Sequence, residues 1–100
     1  MIKKEIRKFK DQRLIAIVAY KNGKNFILEY FFDKDGKIEV KEFKVSRKKP
    51  IIESIVEIFP NADYYEREIF EFFGIKFKGN PNLKLKLFLP DEWKKKPPMV

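Results

Sequence analysis

Two tight-turn signals in the first half of the chain constrain its fold most. Three runs rich in β-branched and aromatic residues, RLIAIVAY, NFILEYFF and KIEVKEFKV, are separated by KNGK and DKDG. Both central residues of a type I′ hairpin turn need a positive φ, which Asn, Asp and Gly tolerate. We therefore expect Asn22-Gly23 and Asp35-Gly36 to be the turns of a three-stranded antiparallel β-meander.

The apolar pattern of the meander leaves two questions open. The first run is uncharged over residues 14–20 and apolar on both faces, which indicates a central strand covered on both sides, or on one side by a partner protein. In the third run, Ile38 and Val40 point to one side of the sheet, whereas Phe43 and Val45 point to the other. Either a bulge shifts the phase of this strand, or its two halves pack on different layers.

Helical patterns flank the meander on both sides. Ile2, Ile6 and Phe9 are spaced as on one or two turns of an amphipathic helix. After the meander, Pro50 can occupy the first turn of a second helix, which Pro60 ends. The apolar stripe of this second predicted helix comprises Ile51, Ile52, Ile55, Val56 and Phe59.

A third helix is predicted over about residues 64–73. Asp63 and Glu66 have the spacing of an N-cap and its N3 partner, and Gly74 is a natural residue to end the helix. Two strand-like pieces, IKFKG and LKLKLFL, follow around a turn at residues 79–82. Together these elements predict an α+β fold, in which two or three short helices pack on an antiparallel β-meander. We expect a single two-layer domain over residues 1–93 and a basic exposed tail over residues 94–100.

Composition excludes several classes of function. The 100 residues include no His and no Cys, so the usual ligands of zinc and iron–sulfur sites, a thiolate nucleophile and an imidazole base are all missing. We therefore expect no metal site, no cofactor site and no catalytic residues. The uncharged run at 14–20 is far shorter than the ~20 apolar residues that span a bilayer, and MIKKEIRKFK lacks the apolar segment of a signal peptide. This predicts a cytoplasmic protein, and its heavy use of Lys, Glu and Ile is typical of hyperthermophile proteins.

The stretch YYEREIFEFFGIKFKGNPNL resembles the signature of a known family, the C subunits of NADH-quinone oxidoreductase, the respiratory complex I. In that signature, Glu-Arg-Glu precedes an acid, two apolar residues and a Gly-Ile-x-Phe-x-Gly-His-Pro run. These positions are filled here by Glu66, Arg67, Glu68, Glu71, Phe72, Phe73, Gly74, Ile75, Phe77, Gly79 and Pro81. Asn80 stands where the family usually has His. The compact chain is most similar to the short relatives found in membrane-bound NiFe hydrogenase complexes.

The resemblance implies a scaffold role without catalytic residues. Members of the family are peripheral, cofactor-free subunits held against the large catalytic subunit of an electron-transfer complex. The large subunit is therefore the expected partner, and association with the inner face of the cell membrane would be indirect. The residues implied at the partner interface are Glu66, Arg67, Glu68, Glu71, Phe72, Gly74, Phe77, Gly79 and Pro81.

The motif residues also have roles that follow from their spacing. Arg67 and Glu71 lie at i and i+4, so they can pair on one face of a helix, while Glu68 lies on another face. These charges belong either to an ordinary solvated helix or to a partner interface or buried network, and both alternatives remain open. Gly74 and Gly79 are expected to let the backbone turn.

Two functions from other classes compete with the scaffold role. The pI of about 9.6 and the sheet aromatics Tyr20, Tyr30 and Phe32 would suit a small basic nucleic-acid-binding module, although the acid-rich stretch at 53–71 would repel phosphates. An enzyme would have to use Glu68 and Glu71 as its acid–base pair, with no nucleophile or phosphate loop nearby. The scaffold role is therefore the expectation, a small basic nucleic-acid-binding module is the alternative, and we expect no catalytic residues in this chain.

Overall fold

A computed structural model of the chain describes residues 2–83, which form an α+β fold as predicted. The sheet is a three-stranded antiparallel meander, and two helices pack with it in one globule. The elements in chain order are α1 (Ile2–Ile6) with a 3-10 turn (Arg7–Phe9), β1 (Arg13–Asn22), β2 (Asn25–Lys34), β3 (Lys37–Ser46), β4 (Ile51–Glu53), α2 (Ala62–Phe73) and β5 (Lys76–Lys78).

The two hairpin turns differ in how well the sequence predicts them. Lys34 pairs with Lys37, so Asp35 and Gly36 form the second turn with φ angles of 53° and 85°, as expected for type I′. In the first hairpin, Asn22 pairs with Asn25, so the loop residues are Gly23 and Lys24. The expectation that Asn22 is a central turn residue is therefore wrong by one position. The positive φ of Gly23, 61°, at the start of the loop satisfies a two-residue turn without help from Asn22.

Strand β2, not β1, is the central strand of the meander, so the prediction for the first run is wrong. β1 lies at an edge of the three-stranded sheet. Its apolar residues lie on both faces of the sheet: Leu14 and Ile17 are buried on one face, whereas Val18 and Tyr20 are exposed on the other. The bulge lies in β1, between Leu14 and Ala16, and the extra residue shifts the pattern of its two faces.

Strand β3 answers the second open question. Its register with β2 runs from residue 37 to residue 46 with no shift, so the strand has no bulge. Phe43 and Val45 pack with the core, whereas Ile38 and Val40 are exposed on the opposite face of the sheet. The two halves of β3 therefore bring apolar side chains to different faces, which is the second of the two alternatives.

The predicted helix over residues 50–59 is wrong. β4 replaces its first turn and pairs in parallel with β5, with Ile52 opposite Phe77. The backbone supplies the reason, because Lys76 N donates to Pro50 O over 2.8 Å and Ser54 N donates to Lys78 O over 2.9 Å. Extended backbone at β-branched residues gains these bonds from a segment far away in sequence. Only one helical turn remains, closed by Phe59 N donating to Ile55 O over 2.9 Å.

Helix α2 confirms the third predicted helix and begins slightly earlier. Its N-cap is Asn61, which makes no side-chain capping bond, so the assignment of Asp63 as N-cap is wrong. Asp63 lies inside the first turn, and Asn61 Nδ2 instead donates to Leu14 O in β1 over 3.0 Å. Gly74 ends the helix as predicted, with φ at 77° and its N–H donating to Phe70 O over 2.9 Å.

One face of the meander forms the core, and we call it the closed face. Phe26, Leu28, Tyr30 and Phe32 alternate along β2 and are all fully buried. Phe9 stacks on Phe32 with ring centroids 4.5 Å apart, as expected for the helical turns at the start of the chain. Helix α2 joins this face through contacts of Ile69 and through Tyr65 and Phe73, which pack against the same cluster. The second strand-like piece, LKLKLFL, lies outside the described residues except for Leu83, and the tail at 94–100 lies outside them entirely.

Candidate functional site

The carboxylate of Glu66 lies at the centre of a buried network that joins three segments. Its side chain has no exposed area. Ser54 Oγ donates to Oε1 over 2.6 Å, and Ile55 N donates to Oε2 over 2.9 Å. Asn80 Nδ2, from the turn after β5, donates to Oε1 over 2.9 Å. Glu66 thus ties α2 to the end of β4 and to the motif's last turn.

Burial and hydrogen bonding act on the ionisation of Glu66 in opposite directions. Burial raises the pKa of Glu66 most strongly, and the nearby charge of Asp63 raises it further. The bonds from Ser54, Ile55 and Asn80 lower it, because each donor favours the charged form. The pKa of Glu66 remains above its ordinary value. Each of the three donors therefore favours ionisation of Glu66, against the effect of burial.

Asn80, at the position where the motif usually has His, is part of this network rather than an exposed substitute. It is buried, and its Oδ1 accepts a hydrogen bond from Asn82 N over 2.8 Å while its amide holds Glu66. One amide therefore fixes the turn and the carboxylate together. Sequence reasoning missed the partnership of Ser54 and Asn80 with Glu66, since 12 and 14 residues separate them from it and no local pattern joins them.

The hydroxyl of Tyr30 is a second buried polar group in the interior. The side chain has no exposed area, and its Oη has no hydrogen-bond partner within residues 2–83. Burial raises the pKa of Tyr30, and the carboxylate of Glu66 raises it further. The phenol therefore stays neutral at physiological pH and contributes its ring to the core, where it packs edge-on against Phe43 at 5.5 Å.

Arg67 belongs to a second cluster at the border between interior and surface. Its Nη1 donates to Asp63 Oδ2 over 3.2 Å, so this ion pair joins Arg67 to a residue one turn before it, whereas the expected partner Glu71 lies one turn after it. Asp63 Oδ1 accepts a further bond from Asn82 Nδ2 over 3.2 Å. The Nε of Arg67 is buried without a partner in the described part of the chain. The side chain is 16% exposed, so a small part of it reaches the surface.

The other motif residues divide between the interior and the surface. Phe77 is fully buried in the core and Glu71 is nearly so. Glu68 and Phe72 are half-buried, and with Val18 of β1 they line a groove of about 370 Å³ between β1 and α2. Gly79, at φ 100°, allows the turn that carries Asn80, and Pro81 is exposed.

A larger groove runs beside the motif's end. It has a volume of about 1050 Å³ and combines apolar side chains, among them Phe70 and Pro81, with three lysines. These lysines are Lys49, Lys76 and Lys78.

The sheet face opposite the core, which we call the open face, collects exposed apolar side chains. Val18, Tyr20, Ile38 and Val40 are 43%, 40%, 64% and 49% exposed. The strand register places Val18, Glu29 and Glu42 side by side across the three strands. The carboxylates of Glu29 and Glu42 raise the pKa of the exposed Tyr20, in addition to a larger effect of desolvation.

The base-stacking platform that a nucleic-acid-binding module would need is not formed. Tyr30 and Phe32 lie on the closed face with no exposed area, and only Tyr20 of the three aromatics is accessible. Across residues 2–83, no three side chains of the His, Cys, Asp and Glu types cluster so that they could hold a metal ion. The helices in the same range are too short or too polar to cross a membrane.

Comparison with known proteins matches nearly the whole chain to one family. The family model described as "Respiratory-chain NADH dehydrogenase, 30 Kd subunit" matches residues 2–99. Among curated relatives, the C subunit of the F(420)H(2) dehydrogenase of Methanosarcina mazei is 49% identical over 49 residues, and the C subunit of the NADH-quinone oxidoreductase of Roseiflexus castenholzii is 42% identical over 53 residues. These matches cover 49% and 53% of this chain, and 30% of the length of each relative.

Two solved structures share the fold. A chain of the membrane-bound sulfane sulfur reductase, an archaeal respiratory membrane complex, superposes with a TM-score of 0.80 at 23% identity, covering 91% of this chain and 59% of its own length. A trypsin-resistant fragment of Nqo5 superposes with a TM-score of 0.71 at 24% identity, covering 79% of this chain and 73% of the fragment. At these identities the likeness shows the fold alone.

Proposed function

The chain belongs to the family of the 30 Kd subunit of respiratory-chain NADH dehydrogenase, and we propose that it is a non-catalytic scaffold subunit of a complex-I-like assembly. In this proposal it lies in the hydrophilic arm, beside the large catalytic subunit of an NADH-quinone oxidoreductase or a membrane-bound NiFe hydrogenase. Electrons pass through other subunits. The chain then lies on the cytoplasmic side and reaches the inner face of the cell membrane only through its partners.

The observation that carries this proposal is the burial of the motif's central carboxylate. Glu66 is fully buried, so no substrate can reach its carboxylate. The three groups that contact the carboxylate all donate hydrogen bonds, so none of them is placed to accept its proton. Glu71 is also buried, which removes half of the Glu68 and Glu71 pair that an enzyme would need. A motif used in this way fixes the shape of a surface, which suits a scaffold.

The motif residues that reach the surface are the proposed contacts with the large subunit. Arg67 is paired with Asp63 and its side chain is 16% exposed, and a guanidinium at such a border can bind a partner carboxylate. Glu68 and Phe72 line the groove beside β1, and Pro81 is exposed on the turn that Asn80 holds. The remaining motif residues support these contacts by setting the positions of the surface residues. They are Glu66, Glu71, Gly74, Phe77 and Gly79.

Affinity purification tests the proposal in the native host. The full chain, tagged at one end, is recovered in mild detergent, and co-purifying subunits are quantified by mass spectrometry. We expect a large subunit of a quinone reductase or hydrogenase in a fixed ratio to the chain. Recovery of RNA and ribosomal proteins in its place would contradict the proposal and favour the nucleic-acid alternative.

A matched pair of variants separates assembly from folding. Arg67→Ala is expected to lower recovery of the large subunit about tenfold, a typical loss for a contact centred on an arginine. Arg7→Ala changes an exposed arginine on the 3-10 turn and is expected to leave recovery unchanged. A large loss of stability in Arg67→Ala with recovery preserved would assign Arg67 to folding and contradict its contact role.

A further inference from the structure

The open face of the sheet is the largest feature that the motif leaves unexplained. Four of the exposed large apolar side chains, Val18, Tyr20, Ile38 and Val40, lie on it. The described helices and β4 contribute their buried side chains to the cluster on the other face, which contains Phe26, Leu28, Tyr30 and Phe32. Exposed large apolar side chains grouped on one sheet face are typical of an interaction surface.

Two carboxylates stand at the centre of this face without a partner. Glu29 and Glu42 are directly opposite each other in the register of β2 and β3. Like charges in such a pair destabilise a sheet. Within residues 2–83 neither carboxylate accepts a hydrogen bond or forms an ion pair, although the chain carries 23 Lys and Arg. A cation placed between them would remove the repulsion and gain two contacts.

The neighbours of the acid pair define what can bind there. The next row across the sheet on one side is Ala16, Phe31 and Val40. The next row on the other side is Tyr20, Ile27 and Lys44. A cation bound at the pair would thus lie beside the exposed Val40 on one side and beside the exposed Tyr20 on the other, where Ile27 is buried and Lys44 adds a cation of this chain. A partner surface with an Arg or Lys between apolar residues matches this arrangement.

We propose that the open face is a second docking surface, which binds an apolar segment of another subunit through an Arg or Lys held between Glu29 and Glu42. This inference rests on the proposed function, because it requires a neighbouring subunit. It gives the chain two contact surfaces, the open face and the groove lined by the motif residues Glu68 and Phe72, which meet at Val18. Arginine fits the pair best, since its planar guanidinium can contact both carboxylates.

Other occupants fit the charges of this face less well. A second copy of the chain, related by a two-fold axis, would bring two acid pairs together, and each chain has a net charge of +8. Anionic lipid headgroups and nucleic-acid phosphates are attracted by the net charge of the chain, but the carboxylates of Glu29 and Glu42 would repel them from this face. The partner chemistry that the face favours is therefore a cationic and apolar protein segment.

Charge reversal inside the native complex tests this surface. Glu42→Lys is expected to lower recovery of the complex about tenfold, since it places a cation where the partner's cation lies. Glu57→Lys makes the same charge change at an exposed site away from the sheet and is expected to leave recovery within about twofold of the unaltered chain. Equal recovery of the two variants would overturn the proposal.

Site-specific crosslinking identifies the occupant. A photoreactive amino acid replaces Val40 in the full-length tagged chain, and the complex is irradiated before purification. The expected product joins residue 40 to a peptide of another subunit that contains Arg or Lys beside apolar residues. Crosslinks to a second copy, to residues 84–100 of the same chain or to lipid alone would overturn the proposal.

The two proposals fail in different ways. If the unaltered chain recovers no respiratory subunit, the scaffold function fails and the docking surface fails with it. If the complex is recovered with Glu42→Lys as with the unaltered chain, only the docking surface fails.

Discussion

Glutamate side chains in the interior and on the open face of the sheet have opposite surroundings. Inside, Glu66 is fully buried, and three donors from distant segments converge on its oxygens. Outside, Glu29 and Glu42 lie opposite each other with no described partner. A buried carboxylate without donors would cost several kcal/mol, whereas water can solvate exposed ones. We therefore infer that the network around Glu66 stabilises the fold, whereas the pair of Glu29 and Glu42 is available to bind a neighbouring subunit.

The largest expected effect breaks the closed face. Phe32→Ala removes a ring that stacks on Phe9 at 4.5 Å and packs on Phe59 at 5.3 Å. We expect a loss of about 3–5 kcal/mol in the free energy of unfolding, measured by chemical denaturation. Val40→Ala on the open face is the control and should change it by less than about 0.5 kcal/mol. Similar losses in the two variants would mean that the faces do not differ.

The next effect removes the interior carboxylate. Glu66→Ala leaves the donors of Ser54, Ile55 and Asn80 without their acceptor inside the protein. We expect a loss of about 1–3 kcal/mol, read from the same denaturation curves. Glu57→Ala, at an exposed ion pair with Lys3, should change stability by less than about 1 kcal/mol. An unchanged midpoint in Glu66→Ala would show that the network adds nothing to the fold.

Removing one donor sharpens the account of the network. Ser54→Ala deletes the 2.6 Å hydrogen bond to Oε1 and also the bond that Ser54 Oγ accepts from Val56 N. We expect a loss of about 0.5–1.5 kcal/mol, smaller than for Glu66→Ala because two donors still hold the carboxylate. A loss larger than that of Glu66→Ala would place the main role of Ser54 elsewhere.

The pH dependence of stability reports the ionisation of Glu66. Its pKa is raised in the folded state, so the folded chain binds this proton more tightly than the unfolded chain does. The stabilising contribution is therefore complete below the unfolded pKa of Glu, and it is lost as pH rises through the folded pKa. Denaturation curves from about pH 4 upward should show this decline, and Glu66→Ala should lack it. A rise of stability across the same window that depends on Glu66 would contradict the raised pKa.

The smallest effect concerns the exterior pair. Glu42→Gln relieves the repulsion from Glu29, so the free chain should gain a few tenths of a kcal/mol. The gain should shrink as salt is added, because exposed charges are screened. The same variant should bind the complex more weakly, as measured by co-purification. A variant that is less stable when free would show that the pair already has a partner in the folded chain.

Most of the fold could be predicted from local patterns. The Asp35-Gly36 turn, the three strands and the amphipathic stretch ending at Gly74 carry strong signals over short distances. Residues 50–59 could not be read in this way, since the stripe of Ile52, Ile55 and Phe59 buries the same side chains in either conformation. Pairing with β5, which lies more than 20 residues later, selects the extended conformation for residues 51–53.

The candidate site was less accessible to prediction than the fold. The motif pointed to Glu66 and Arg67, and both have polar contacts in the structure. The sequence could not show that Ser54 and Asn80 would donate to Glu66, because tertiary packing alone brings them together. The edge position of β1 was hidden for a related reason, since the bulge at residues 14–16 changes which side chains face the core.

Electron cryomicroscopy of the complex purified through this chain would show which subunits contact the motif and the open face. We predict that the chain lies beside a large catalytic subunit and that the exposed part of the Arg67 side chain lies at that contact. We also predict that an Arg or Lys of a neighbouring subunit lies between Glu29 and Glu42. A complex in which the open face is turned to solvent, or a chain that purifies with no respiratory subunit, would contradict the account.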